Sequence, residues 1–124
     1  IVFGRIAGAS AALTAQKEPE AALKADITLP QYGIATTDAE HLTRSLKHTM
    51  STYCMINRTG TGLSEALLQL ESLQDKAMAL SKPHTDDSEI AALARLQSQI
   101  QLSMEMVKAM RKRTESLGSH YRAD

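Results

Sequence analysis

The stretch IAALARLQSQIQLSMEMVKAM, Ile90 to Met110, decides the fold. Ile90, Leu93, Leu96, Ile100, Met104, Val107 and Met110 follow one another at intervals of three or four, the spacing of a single apolar stripe on an α-helix. Asp86 and Glu89 are spaced as a cap pair at its start, and Gly118 supplies a left-handed C-terminal residue after an end near Ser116. One such stripe cannot be hidden by its own helix, so the rest of the chain must supply partners.

Two further segments do so. Leu63, Leu67, Leu70, Ala77 and Leu80, broadened by Ala66 and Leu73, mark the inner face of a helix with Thr61 as N-cap. Before it, Leu42, Leu46, Met50, Tyr53 and Cys54 share a stripe on a helix opened by Thr37 and Glu40 as a capping box and closed near Ile56. The connections, Asn57 to Gly62 and Ser81 to Asp86, are short and rich in turn residues. Three amphipathic helices with short connections predict an all-α fold, an antiparallel three-helix bundle of the spectrin-repeat kind.

An additional N-terminal helix is expected over Ile1 to Gln16, where Gly4, Gly8 and Ala12 recur on one face and let another backbone approach closely. Pro19 and Pro30 bracket a stretch without periodicity, with at most a short helical turn from Ala21 to Lys24. The expected organisation is a helix over 1–16, a linker over 17–36 and the bundle over 37–124. The chain opens in mid-pattern without an initiator Met, so a fragment or excised domain is expected.

Composition narrows the function. The 124 residues carry 14 basic and 14 acidic side chains, a formal net charge of +0, which argues against nucleic acid or an anionic membrane as main partner. Aromatic residues make up 3% and Trp is absent, so the core is built from Leu, Ile, Met and Ala. No apolar run approaches the roughly 20 residues of a membrane span. The one cysteine, Cys54, cannot form an internal disulfide and points to a reducing, cytoplasmic setting.

No catalytic constellation is complete. His41 and His48 stand seven residues apart, two turns along one helix, too far to share a metal ion. His84 and His120 lie far from them in sequence. Cys54 lacks an evident base and orienting group and reads as a buried structural thiol. Gly60 and Gly62 precede a helix, where an anion could sit, but no strand precedes them and a plain turn is the simpler reading. The six methionines fall mostly on core stripes and fill irregular gaps.

The tail RTESLGSHYRAD, Arg113 to Asp124, is polar and charged, yet follows the last helix without a flexible linker. It reads as a segment made to lie against another surface. Together with the opening VFGRIAG, Val2 to Gly8, it carries a family resemblance. The tail, R-x-E-S-x-G-x-H-x-R-x-D, resembles the C-terminal motif KESRGAHxRxD of the flavoprotein subunits of succinate dehydrogenase and fumarate reductase and their relative L-aspartate oxidase. VFGRIAG resembles the helix closing their flavin-binding domain. Between them YCMINRT, Tyr53 to Thr59, resembles the family's Cys-Gly-x-x-Arg-Thr turn, followed by the Leu-rich LLQLESLQ. Two positions depart: Leu117 stands where the family usually has Arg, and the chain stops at Asp124 where members run on.

The resemblance implies a parent enzyme that moves a hydride between FAD and a dicarboxylate. This chain would be its C-terminal helical domain, packed on the flavin domain and offering surface to partner subunits, an iron–sulfur subunit among them. Any membrane association would come through those partners. The alternatives are the corresponding domain of L-aspartate oxidase and a non-catalytic helical interaction module. No catalytic, flavin-contacting or metal-binding residue maps onto the chain, so FAD is expected in the parent and no cofactor here. Arg113, Glu115, Ser116, His120, Arg122 and Asp124 are the candidate interface residues, expected to pin the bundle to the flavin domain by charge-assisted hydrogen bonds. The N-terminal helix, lacking its own domain, is expected outside the bundle core and could pair two copies of the chain.

Overall fold

A computed structural model describes residues 2–17, 30–83 and 86–124. The expected helical turn at Ala21 to Lys24 and His84 lie outside the described residues. Four helices carry the fold: α1 (Val2–Lys17), α2 (Thr36–Tyr53), α3 (Gly60–Leu80) and α4 (Asp87–Lys112). The last three form the expected all-α bundle, with α1 preceding it. Within the bundle α3 packs extensively on both neighbours, while α2 and α4 touch least.

The stripes read from the sequence form the core. Leu42 and Leu46 of α2, Leu63, Ala66, Leu70, Leu73 and Ala77 of α3, and Leu93, Leu96, Ile100 and Val107 of α4 are all buried. Tyr53, Met50, Leu67, Met104 and Met110 pack at its margin. Burying a Leu or Ile side chain contributes about 1.5–3 kcal/mol, so the fully buried Leu63, Leu70, Leu96 and Ile100 are the principal anchors. Leu80, expected on the inner face, is instead 40% exposed, because α3 ends there and its last turn overhangs the core. On the α2–α3 seam Thr49 donates to Gln69 Oε1 (2.9 Å), which satisfies a buried hydroxyl among apolar neighbours.

The caps differ in detail from the sequence reading. Helix α2 starts at Thr36 with Ala35 as N-cap and no side-chain cap bond, so the Thr37–Glu40 capping box does not form. Ile34 is the reason. It is buried to 1% exposure and donates its amide to the Glu89 carbonyl (3.2 Å), which fixes the entry of the chain two residues early. Helix α3 is capped by Thr59, not Thr61: its hydroxyl accepts from Gly62 N at 3.0 Å. Asp86 caps α4 by accepting from Ser88 N at 2.8 Å.

Four two-residue strands tie the connections together. β1 (Tyr32–Gly33) pairs antiparallel with β3 (Lys82–Pro83), so residues just before α2 lie on the α3–α4 connection. Gly33 is needed at this crossing, since a Cβ there would sit 3.0 Å from the backbone of Glu89 and Ile90. β2 (Asn57–Arg58) pairs in parallel with β4 (Tyr121–Arg122), which brings the tail onto the α2–α3 connection.

Helix α1 takes no part in the core. Every side chain from Phe3 to Gln16 is exposed, with Phe3 at 87%, Ile6 at 57% and Leu13 at 59%. No helix among the described residues is long and apolar enough to cross a membrane.

Candidate functional site

Helix α4 stops at Lys112, four residues before the expected end at Ser116. Gly118, with φ +61°, does not cap that helix. It occupies the first central position of a two-residue hairpin turn. Leu117 N donates to His120 O (2.9 Å) and His120 N to Leu117 O (3.1 Å). A positive φ at the first central residue alone is the type II′ pattern, which Gly adopts without steric cost. The turn sends the chain back along the end of the bundle, where Tyr121 N donates to Ile56 O (3.1 Å) and Ala123 N to Arg58 O (2.8 Å).

In an extended segment alternate residues share a side. His120, Arg122 and Asp124 are spaced that way, and each engages the bundle. Arg58 Nη1 lies 2.7 Å from His120 Nδ1, and Arg58 Nε donates to the Cys54 carbonyl at 3.2 Å. His120 Nε2 lies 3.0 Å from the Arg113 carbonyl. A guanidinium only donates and a carbonyl only accepts, so Nδ1 must offer its lone pair and Nε2 must carry the hydrogen. His120 is thereby held with its hydrogen on Nε2, buried between the α2–α3 connection and the end of α4.

The neighbouring pair closes the same end. Arg122 Nε and Asp124 Oδ1 form an ion pair at 2.9 Å, and Arg122 Nη1 donates to the carbonyls of Arg113 (3.2 Å) and Arg111 (3.4 Å). These carbonyls belong to the last turn of α4 and the residue after it, which lack helical partners of their own. Asp124 Oδ2 accepts from Gly60 N at 2.6 Å, at the N-terminus of α3, where the helix dipole favours a negative charge. The Arg122 hydrogen bond first, and the Gly60 amide second, hold the Asp124 carboxyl below its ordinary range. A Cβ on Gly60 would fall 2.9 Å from both Arg122 Nη2 and Asp124 Oδ2. Ser116 completes the loop, its hydroxyl accepting from Arg122 N at 3.0 Å.

Of the six candidate interface residues, the structure thus brings His120, Arg122 and Asp124 together with the Arg113 carbonyl and the Ser116 hydroxyl. The Arg113 and Glu115 side chains are exposed, as is Leu117 at 65%, while the exposed Ser116 turns its hydroxyl onto the Arg122 backbone. Two residues outside those six, Arg58 and Gly60, receive the tail. Arg58 lay within the quoted YCMINRT and Gly60 in the turn after it, but nothing local pairs them with residues more than sixty positions away.

The remaining candidates are not assembled. His41 and His48 are exposed, and among the described residues no three His, Cys, Asp or Glu side chains converge to hold a metal ion. Cys54 is buried at the end of α2, and burial raises its thiol above the ordinary range, partly offset by Arg58. The anion position at Gly60 and Gly62 is filled from within the chain, by Asp124 and by Thr59.

Residues 43–124, about two thirds of the chain, match the model of the family described as Fumarate reductase flavoprotein C-term. No curated protein and no solved structure matches the chain.

Proposed function

The chain belongs to the fumarate reductase flavoprotein C-terminal family, and from that premise we propose that it serves as a docking domain that buttresses the flavin domain of its own parent polypeptide. It is a C-terminal domain of a flavoprotein of the succinate dehydrogenase and fumarate reductase type. In this reading α1 is the last helix of the flavin domain, the residues between α1 and β1 are the connection, and the bundle is a rigid block carrying the tail. The intrachain bonds of His120, Arg122 and Asp124 give the tail a fixed shape. That shape leaves the exposed Arg113 and Glu115 side chains as groups able to meet a second domain.

The observation that carries the proposal is the coexistence of two unpartnered surfaces in a chain of this family. One is α1, exposed from Phe3 to Gln16, with its apolar Phe3, Ile6 and Leu13; the other is the exposed outer side of the hydrogen-bonded polar tail. FAD belongs to the parent's flavin domain. The residues of this chain do not fit it, since the amides that begin α3 are already bonded to Asp124 and Thr59.

Limited proteolysis of the intact flavoprotein tests the reading. After cleavage between α1 and β1 the bundle should remain bound to the flavin domain through gel filtration. Glu115→Lys combined with Arg113→Glu should release it without lowering the bundle's own stability. A wild-type bundle that elutes free after cleavage refutes the proposal.

A further inference from the structure

Toward the end of the bundle opposite the tail, α2 and α4 leave an open groove of about 690 Å³ between them. Its position follows from the packing, because these two helices touch least and small side chains line their seam. Ala39 and Leu96 form an apolar floor, and three cations, Arg44 and Lys47 from α2 and Arg95 from α4, stand along the rim with a single carboxylate, Glu40. None of the three cations is in an ion pair or a side-chain hydrogen bond among the described residues. The chain as a whole carries a formal net charge of +0, so the positive excess at the groove is local and is offset by acidic residues elsewhere.

An Ala-lined seam between two parallel helices is shaped for a third helix, since small side chains allow close axial approach. The rim sets which helix fits. A neutral or basic one would leave three cations facing apolar or like-charged surface, and like charges across an interface are strongly disfavoured. We infer that the α2–α4 groove docks an acidic amphipathic helix of a partner protein, its Ala- and Leu-rich face on Ala39 and Leu96 and its flanking carboxylates on Arg44, Lys47 and Arg95. This site lies away from the tail and stands independently of the proposed docking to the flavin domain.

The probe is a synthetic helix-forming peptide with an Ala/Leu face flanked by glutamates, set against its counterpart with lysines in place of the glutamates. The glutamate peptide should bind the 124-residue chain, shift backbone resonances along Thr36–Lys47 and Ser88–Gln99, and weaken as salt rises. Arg44→Glu with Arg95→Glu, both at exposed positions, should weaken it about tenfold or more, two attractive pairs having become repulsive. The same variant should gain affinity for the lysine peptide while melting like the wild type. Absence of binding, equal binding of the two peptides, an unchanged affinity in the double variant, or shifts confined to other surfaces would each overturn the inference.

Discussion

Removing the Arg58 guanidinium should detach the tail without unfolding the bundle. In Arg58→Ala the His120 Nδ1 acceptor, buried at 7% exposure, loses its 2.7 Å donor, and the Cys54 carbonyl loses the 3.2 Å bond from Nε. A hydrogen bond from a charged group contributes about 1.5–3 kcal/mol, and an unsatisfied buried acceptor costs about 1–3 kcal/mol. The tail should therefore open about 2 kcal/mol more readily, a factor of about 30 in the opening equilibrium. Native-state hydrogen exchange reads this directly at the Tyr121 and Ala123 amides, which donate to Ile56 and Arg58 carbonyls. Their protection should fall about 30-fold, while amides in the middle of α3 and α4 should change little. His120→Ala should do the same, and the double variant should show a coupling of about 1–2 kcal/mol. A coupling below about 0.5 kcal/mol, within the error of additivity, would show that Arg58 and His120 do not act as a pair.

Four further outcomes follow from the same geometry. Gly33→Ala should destabilise the chain by about 1–3 kcal/mol in urea denaturation, because its Cβ meets rigid backbone of Glu89 and Ile90. Gly60→Ala should cost less than Gly33→Ala, since its Cβ meets only the movable ends of Arg122 and Asp124; the reverse order would contradict the crossing described here. The lowered Asp124 carboxyl contributes stability that is present above the ordinary carboxylate range and is lost as pH falls through the lowered one. The Gly60 amide resonance should titrate there, and Asp124→Asn should abolish that step; a step surviving the substitution assigns it to another group. Cys54, buried with its thiol raised by desolvation, should react with a thiol reagent only as the chain opens, and alkylation at the rate of a free thiol would refute its burial.

The bundle was legible in the sequence because a helix stripe is a local signal. The three-four spacing from Ile90 to Met110 needs no partner to be read, and the structure buries Leu93, Leu96, Ile100 and Val107 from that run. Cap positions were less legible where tertiary contacts fixed the chain first. Ile34, buried beside α4, overrode the capping box at Thr37. The tail was legible as a segment needing a surface, but not as a strap on its own bundle. Its strand pairs over two residues only, too few for a period-two pattern to stand out. The spacing of His120, Arg122 and Asp124 at every second position was the available sign of an extended segment. Their partners Arg58 and Gly60 could be found only in three dimensions.

Amide exchange compared between this chain and the intact parent flavoprotein tests the central proposal most directly. If the bundle docks on the flavin domain, Phe3–Gln16 and Arg113–Leu117, exposed here, should exchange markedly more slowly in the parent, with the α3 core unchanged. Identical exchange of both segments in the two proteins would contradict it.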